Sequence, residues 1–133
     1  MNKPFDNSAA YYDLLYKDKN YKTEAKYIKD LLVKNNISGN QILEFGSGTG
    51  IHASLLAKEG FKIFGIERSS SMIKKAVKCS GFECKKGDIK KTYLEKKFNA
   101  VISIFHVVSY QTSNNDVFDL LNNASRHLNK GGL

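Results

Sequence analysis

The stretch Glu44-Phe45-Gly46-Ser47-Gly48-Thr49-Gly50 decides the fold. It closes a short apolar run, Gln41 to Phe45, and leads into a segment with Ile51, Leu55 and Leu56 at helical spacing. Glycines at this density let the backbone turn tightly and let a ligand approach without meeting a Cβ. The helix behind them presents free N–H groups and the positive end of its dipole. A carboxylate or a phosphate is welcome at such a turn.

The pattern repeats downstream. Phe61 to Ile66 reads as a second strand, ending in Glu67. Ser69 or Ser70 can cap a helix that buries Met72, Ile73, Ala76 and Val77 and stops at Gly81. Phe82 to Lys86 is a third strand, and Gly87-Asp88-Ile89 a turn. Ala100 to Phe105 is a fourth strand, expected to be buried on both faces as a central parallel strand is. Asp116 to Asn129 is a helix with Val117, Leu120, Leu121, Ala124 and Leu128 inside. Upstream, Thr23 to Asn35 is an amphipathic helix that turns Ala25, Ile28, Leu31 and Leu32 inward, and Asn36 to Asn40 is a turn. Residues 8–21 are rich in tyrosine. Strand–helix alternation predicts an α/β fold, a Rossmann-like parallel sheet with flanking helices. Ligands of such sheets sit at the carboxyl ends of the strands. That rule selects residues 45–50, 67–69, 87–89 and 105–110.

Composition narrows the class. The chain has 133 residues, which is one domain or a piece of one, and 41% apolar with 26% charged residues is ordinary globular usage. No apolar run approaches the ~20 residues that span a bilayer. Met-Asn-Lys-Pro-Phe-Asp at the start has no apolar signal-peptide core, so a cytoplasmic location is expected. Cys79 and Cys84 are too few for a disulfide framework and fit no zinc spacing, so they are expected to be reduced structural thiols, with no metal site. The net charge of +8 is compatible with nucleic acid, a phosphorylated small molecule or no partner at all. Arginine, which reads base edges and grips phosphates bidentately, occurs only at Arg68 and Arg126. Nucleic acid is therefore disfavoured.

The four strand ends suggest a ligand. Glu67 lies 19 residues beyond Gly48, where an acidic side chain can accept bonds from ribose hydroxyls. Asp88 can accept a bond from an adenine amino group, with Ile89 to cover the ring. His106 stands where a reacting group would sit, as a base or merely as a satisfied polar residue. A nicotinamide dinucleotide usually wants G-x-G-x-x-G. Here the third glycine comes one residue early, and Ile51 takes its place. Glu44 would add negative charge beside a pyrophosphate. The same carboxylate is tolerable beside an ammonium or a sulfonium.

Glu-x-Gly-x-Gly-x-Gly, then Glu67, then Asp88-Ile89, resembles the class I S-adenosylmethionine-dependent methyltransferases over essentially the whole chain. Tyr12-Asp13-x-x-Tyr16 and Tyr21 before the core, with Phe105 to Tyr110 after the fourth strand, are similar to small-molecule N-methyltransferases acting on nucleotide-linked amino sugars. The resemblance implies S-adenosyl-L-methionine as cofactor and a small-molecule amine as acceptor. It implies that Gly46, Ser47 and Gly48 hold the methionine portion by backbone contact, with Glu44 before them. Glu67 would bind the ribose. Arg68 and Met72 would flank the adenine, and Asp88 and Ile89 would recognise its edge. Tyr21 would face the cofactor, and Phe105 would lie under its methionine side. Tyr16, His106 and Tyr110 would orient the acceptor amine or take its proton.

In that family a Gly-Gly turn like Gly131-Gly132 leads into a fifth strand of a seven-stranded sheet. The chain thus reads as the N-terminal part of that fold. Residues 1–133 form a single, incomplete cofactor-binding domain, with 1–22 as a lid or extension. The exposed edge of the fourth strand invites pairing with another chain, so the chain is expected to form a homodimer, swap elements or be poorly stable alone. Two rival functions stay open, nucleic-acid methylation and cofactor binding without catalysis. Enzymes that methylate exocyclic base amines commonly carry Asn/Asp-Pro-Pro-Tyr/Phe after the fourth strand. Phe105-His106-Val107-Val108 stands there instead.

Overall fold

The computed structural model describes residues 20–104 and 113–133. The elements run α1 (Tyr21–Lys34), β1 (Gln41–Phe45), α2 (Ile51–Lys58), β2 (Lys62–Glu67), α3 (Ser70–Lys74), β3 (Phe82–Lys86), β4 (Ala100–Ser103) and α4 (Asn114–Arg126). The strands form one parallel sheet in the order β3-β2-β1-β4. β1 pairs with β2 on one side, Ile42 opposite Ile63, and with β4 on the other, Ile42 opposite Ala100. The chain leaves β1 towards β2 and later crosses to β4. The carboxyl end of β1 is therefore the point where the strand order reverses, and where a crevice opens in doubly wound sheets.

β1 is the centre of the core because both of its edges and both of its faces are covered. Ile42, Leu43 and Phe45 are wholly buried. Alternation sends Ile42 to one face, with Leu32, Ala53, Leu56 and Ile63. It sends Leu43 and Phe45 to the other, with Ile66, Phe98 and Leu120. Each such side chain contributes about 1.5–3 kcal/mol of burial free energy. α1 and α2 cover the first face, and α4 lies over the second.

Several expectations about burial are corrected. α3 ends at Lys74, well short of Gly81, and Val77 is exposed. Only Ala76 of the segment after it packs against the core. Its Val77 N–H then donates to the Thr49 carbonyl at 2.9 Å. α2 buries His52, Ala53 and Leu56, leaving Ile51 and Leu55 half-buried. Leu31 of α1 and Leu121 of α4 face outward. β4 is buried at Ala100, half-buried at Val101 and Ile102 and exposed at Ser103. Among the described residues it lies at the edge of the sheet, in line with the exposed edge expected for it, but it is not buried on both faces. On its outer edge, Val101 N–H donates to the Leu133 carbonyl at 2.9 Å, and Leu133 N–H donates to the Asn99 carbonyl at 3.2 Å. No helix among the described residues is long and apolar enough to cross a membrane.

Candidate functional site at the end of β1

Gly46, Gly48 and Gly50 all have positive φ, at 73°, 58° and 78°. The loop therefore coils tightly between β1 and α2. Gly50 also caps α2 with no side-chain bond, and a Cβ there would strike the Phe82 ring. Ser47 is buried with its side chain over Gly65 of β2, where a Cβ would collide with the Ser47 hydroxyl. The glycine in β2 is thus what lets the loop sit down on the sheet.

Glu67 ends β2 directly beside this loop. Its Oε1 accepts the Gly48 N–H at 2.8 Å, and its Oε2 accepts the Ser69 N–H at 2.9 Å. Bonds to an ionised acceptor are about twice as strong as neutral ones. One carboxylate therefore ties the glycine loop to the turn that opens α3. Each carboxylate oxygen keeps a further lone pair, so the ribose role that the sequence reading gave Glu67 has acceptors left to use. Ser69 completes the turn by capping α3, accepting from Met72 N–H at 3.2 Å.

Glu44 contrasts with it. It is almost fully buried in β1, and its Oε1 has no hydrogen-bond partner. Burial, and then the nearby Glu67 charge, push its carboxyl up to about 8. The Ser47 hydroxyl is likewise buried without a partner. A buried acceptor left unsatisfied costs about 1–3 kcal/mol. Two buried oxygens near the end of β1 thus lack partners, and the Glu44 carboxyl holds its proton more tightly than an ordinary carboxyl. A ligand cation with N–H donors would supply the missing bond at Glu44 and favour its ionised form.

Other sequence-assigned residues fall around this centre. Met72 is buried in α3, and Arg68 is exposed on the same turn. Asp88 Oδ1 accepts Lys90 N–H at 2.8 Å, and its own N–H donates to Thr92 Oγ1 at 2.8 Å. Both bonds shape the turn after β3. Ile89 packs against the Leu43–Phe45 cluster. Tyr21 opens α1, its ring edge-on to His52 with centroids 5.0 Å apart. Tyr16, Phe105, His106 and Tyr110 lie outside the described residues.

Sequence reading missed the clamp beneath the Asp88 loop. Asn123 of α4 is buried, and its Nδ2 donates to the carbonyls of Ile89 and Thr92 at 2.9 and 3.0 Å. His127 is wholly buried, with Nδ1 2.7 Å from the Asn123 carbonyl, and its Nε2 accepts Leu94 N–H at 3.1 Å. These partners lie more than 30 residues away along the chain. A polar residue inside a helical pattern gives no sign of such a contact. Both thiols are free, and burial and then Glu67 raise the Cys84 thiol, the opposite of an activated thiolate.

Residues 42–132 match the family described as "Methyltransferase domain". The chain belongs to that family. It is 31% identical over 125 residues to a Streptomyces venezuelae protein named dTDP-3-amino-3,4,6-trideoxy-alpha-D-glucopyranose N,N-dimethyltransferase, covering 92% of this chain and 53% of that one. Among solved structures, Streptomyces venezuelae DesVI superposes with a TM-score of 0.82 at 32% identity, over 91% of this chain and 52% of that one. CalS10 of Micromonospora echinaspora, described as an amino pentose methyltransferase with bound SAM, superposes with a TM-score of 0.80 at 24% identity, over 97% of this chain and 54% of that one. That last likeness shows the fold alone. This methyltransferase domain spans about half the length of the relatives it matches. The family match begins at Ile42, one residue into β1, and takes in the glycine loop, Glu67 and the Asp88 turn.

Proposed function

We propose that the chain binds S-adenosyl-L-methionine at the end of β1 and forms the cofactor half of an enzyme that methylates a small-molecule amine, such as a nucleotide-linked amino sugar. The carrying observation is Glu44, a buried carboxylate with an unpartnered oxygen beside an open glycine loop. That spot fits the ammonium of the cofactor's methionine part and would repel a pyrophosphate. The relative that acts on a nucleotide-linked amino sugar supports the acceptor class.

When bound, the cofactor supplies a methyl group on a sulfonium, which is already a good leaving group. The chain's residues then have three tasks. Backbone groups of Gly46 to Gly48 and the Glu44 carboxylate hold the methionine part. Glu67 takes the ribose hydroxyls, Arg68 and Met72 flank the adenine, and Asp88 with Ile89 covers its edge. Tyr16, His106 or Tyr110 orient the acceptor amine or take its proton, with Phe105 facing it. The amine must be neutral to attack, and desolvation favours that form. Holding the reactants in line about 3 Å apart and excluding water supplies most of the remaining acceleration. A cytoplasmic location belongs to the same reading.

Calorimetric titration of S-adenosylmethionine and of NAD into the chain, with Glu67→Ala as control, tests this. Binding of the first alone, lost in the variant, supports the reading. Binding of NAD, or of neither, refutes it for this chain. The homodimer through the β4 edge is tested by sedimentation, where a stable monomer at all concentrations rules it out.

A further inference from the structure

His52 is the second residue of α2, two positions beyond Gly50 of the glycine loop. It faces inward and is buried, although an imidazole is a costly choice for a helix interface unless it is bonded. Its Nε2 lies 3.0 Å from Glu24 Oε1 in the first turn of α1. Its ring meets the edge of Tyr21, the first residue of that helix, at an interplanar angle of 64°. Edge-on ring contacts of this kind are favourable. Glu24 is partly exposed, and the His52–Glu24 contact bridges the first turns of the two helices. It fixes the start of α1 against the start of α2, and α2 begins where the glycine loop ends.

We propose that His52 is a positioning residue for cofactor binding. Held between Tyr21 and Glu24, it locks the first turn of α1 to the helix that follows the glycine loop, and so places Tyr21 beside that loop. The inference rests on the reading of the loop as the S-adenosylmethionine site. It adds a residue that touches neither the cofactor nor the acceptor and acts through Tyr21 and Glu24.

The test is calorimetric titration of S-adenosylmethionine into the full chain and its His52→Ala, His52→Gln, Glu24→Ala and double-alanine variants, with thermal midpoints measured in parallel. His52→Ala is expected to weaken binding about tenfold, a loss of ~1.4 kcal/mol. Glu24→Ala should weaken it similarly, and the double variant should be no worse than either single one, because one linkage is broken only once. His52→Gln places an amide donor near the position of Nε2 and should recover most of the affinity. Unchanged affinity in His52→Ala, additive losses, or no rescue by glutamine would overturn the proposal. So would a lowered midpoint with unchanged affinity, which is what a purely structural role gives. If the parent chain binds no S-adenosylmethionine, the site reading falls and this inference falls with it. If the parent binds and His52→Ala binds equally well, the inference alone fails.

Discussion

Two carboxylates stand at the ends of neighbouring strands and have opposite surroundings. Glu67, closing β2, gives both oxygens to backbone donors of the chain itself. Glu44, one residue before the end of β1, is buried as deeply and leaves an oxygen unbonded. A native structure rarely leaves a buried acceptor empty without a use for it. The difference separates two jobs. Glu67 builds the loop, and Glu44 is kept in reserve for something that the loop receives.

The largest effect should come from removing the builder. Glu67→Ala strips acceptors from the Gly48 and Ser69 N–H groups, each in a bond to a charged group worth about 1.5–3 kcal/mol. A stability loss of about 3 kcal/mol is expected in urea unfolding, together with loss of cofactor binding. A variant as stable as the parent would show that the two bonds do not hold the loop.

Removing the reserved carboxylate should act in the other direction on stability. Glu44 is raised from 4.5 to about 8 in the folded chain, chiefly by burial. The folded state thus keeps a proton that the unfolded chain has lost. Stability is fully present below about pH 4.5 and is lost as pH rises through 8. Glu44→Gln should therefore match the parent near pH 4 and exceed it near pH 8.5, while binding S-adenosylmethionine about tenfold more weakly at pH 7. Between pH 6 and 7.5 the parent's affinity should climb with pH, because the bound ammonium favours the ionised carboxylate. The glutamine variant should show no such slope. A parallel pH dependence in both proteins would remove Glu44 from the site.

How far the sequence could have shown this follows from the range of each interaction. β1 and β3 have the bounds read from the sequence, because strand and turn signals are local. The glycine loop and Glu67 were legible for the same reason, as spacing along the chain. The solitude of Glu44 was not, since it depends on which donors fail to reach it in three dimensions. Nor was the outward turn of Leu31 and Leu121, because a helical period marks a stripe and not which of its margins is covered. β4 read as buried on both faces from its apolar run, but such a run does not say how much of each face the neighbouring elements cover. Asn123 carried no signal at all. Its deletion to alanine should cost about 1–3 kcal/mol, by leaving the Ile89 and Thr92 carbonyls without their donor. Amide exchange should accelerate over residues 88–94 more than over the glycine loop. Uniform acceleration would mean that the clamp is not local.

The smallest effect separates the clamp from the carboxylate pair by pH. His127 is held neutral: burial lowers its pKa from 6.5, against the raising effect of the Asn123 carbonyl. Its Nε2 must stay unprotonated to accept the Leu94 N–H. Here the unfolded chain takes up the proton first. The contribution to stability is complete above about pH 6.5 and is lost as pH falls through it, by no more than about 1.4 kcal/mol per pH unit. Glu44 and His127 thus bend the stability profile from opposite ends, one on the alkaline side and one on the acid side. Urea midpoints of His127→Gln and Glu44→Gln between pH 5 and 8.5 should each flatten one limb and leave the other. If His127→Gln leaves the acid limb as steep as in the parent, the imidazole is not what clamps the Asp88 loop to α4.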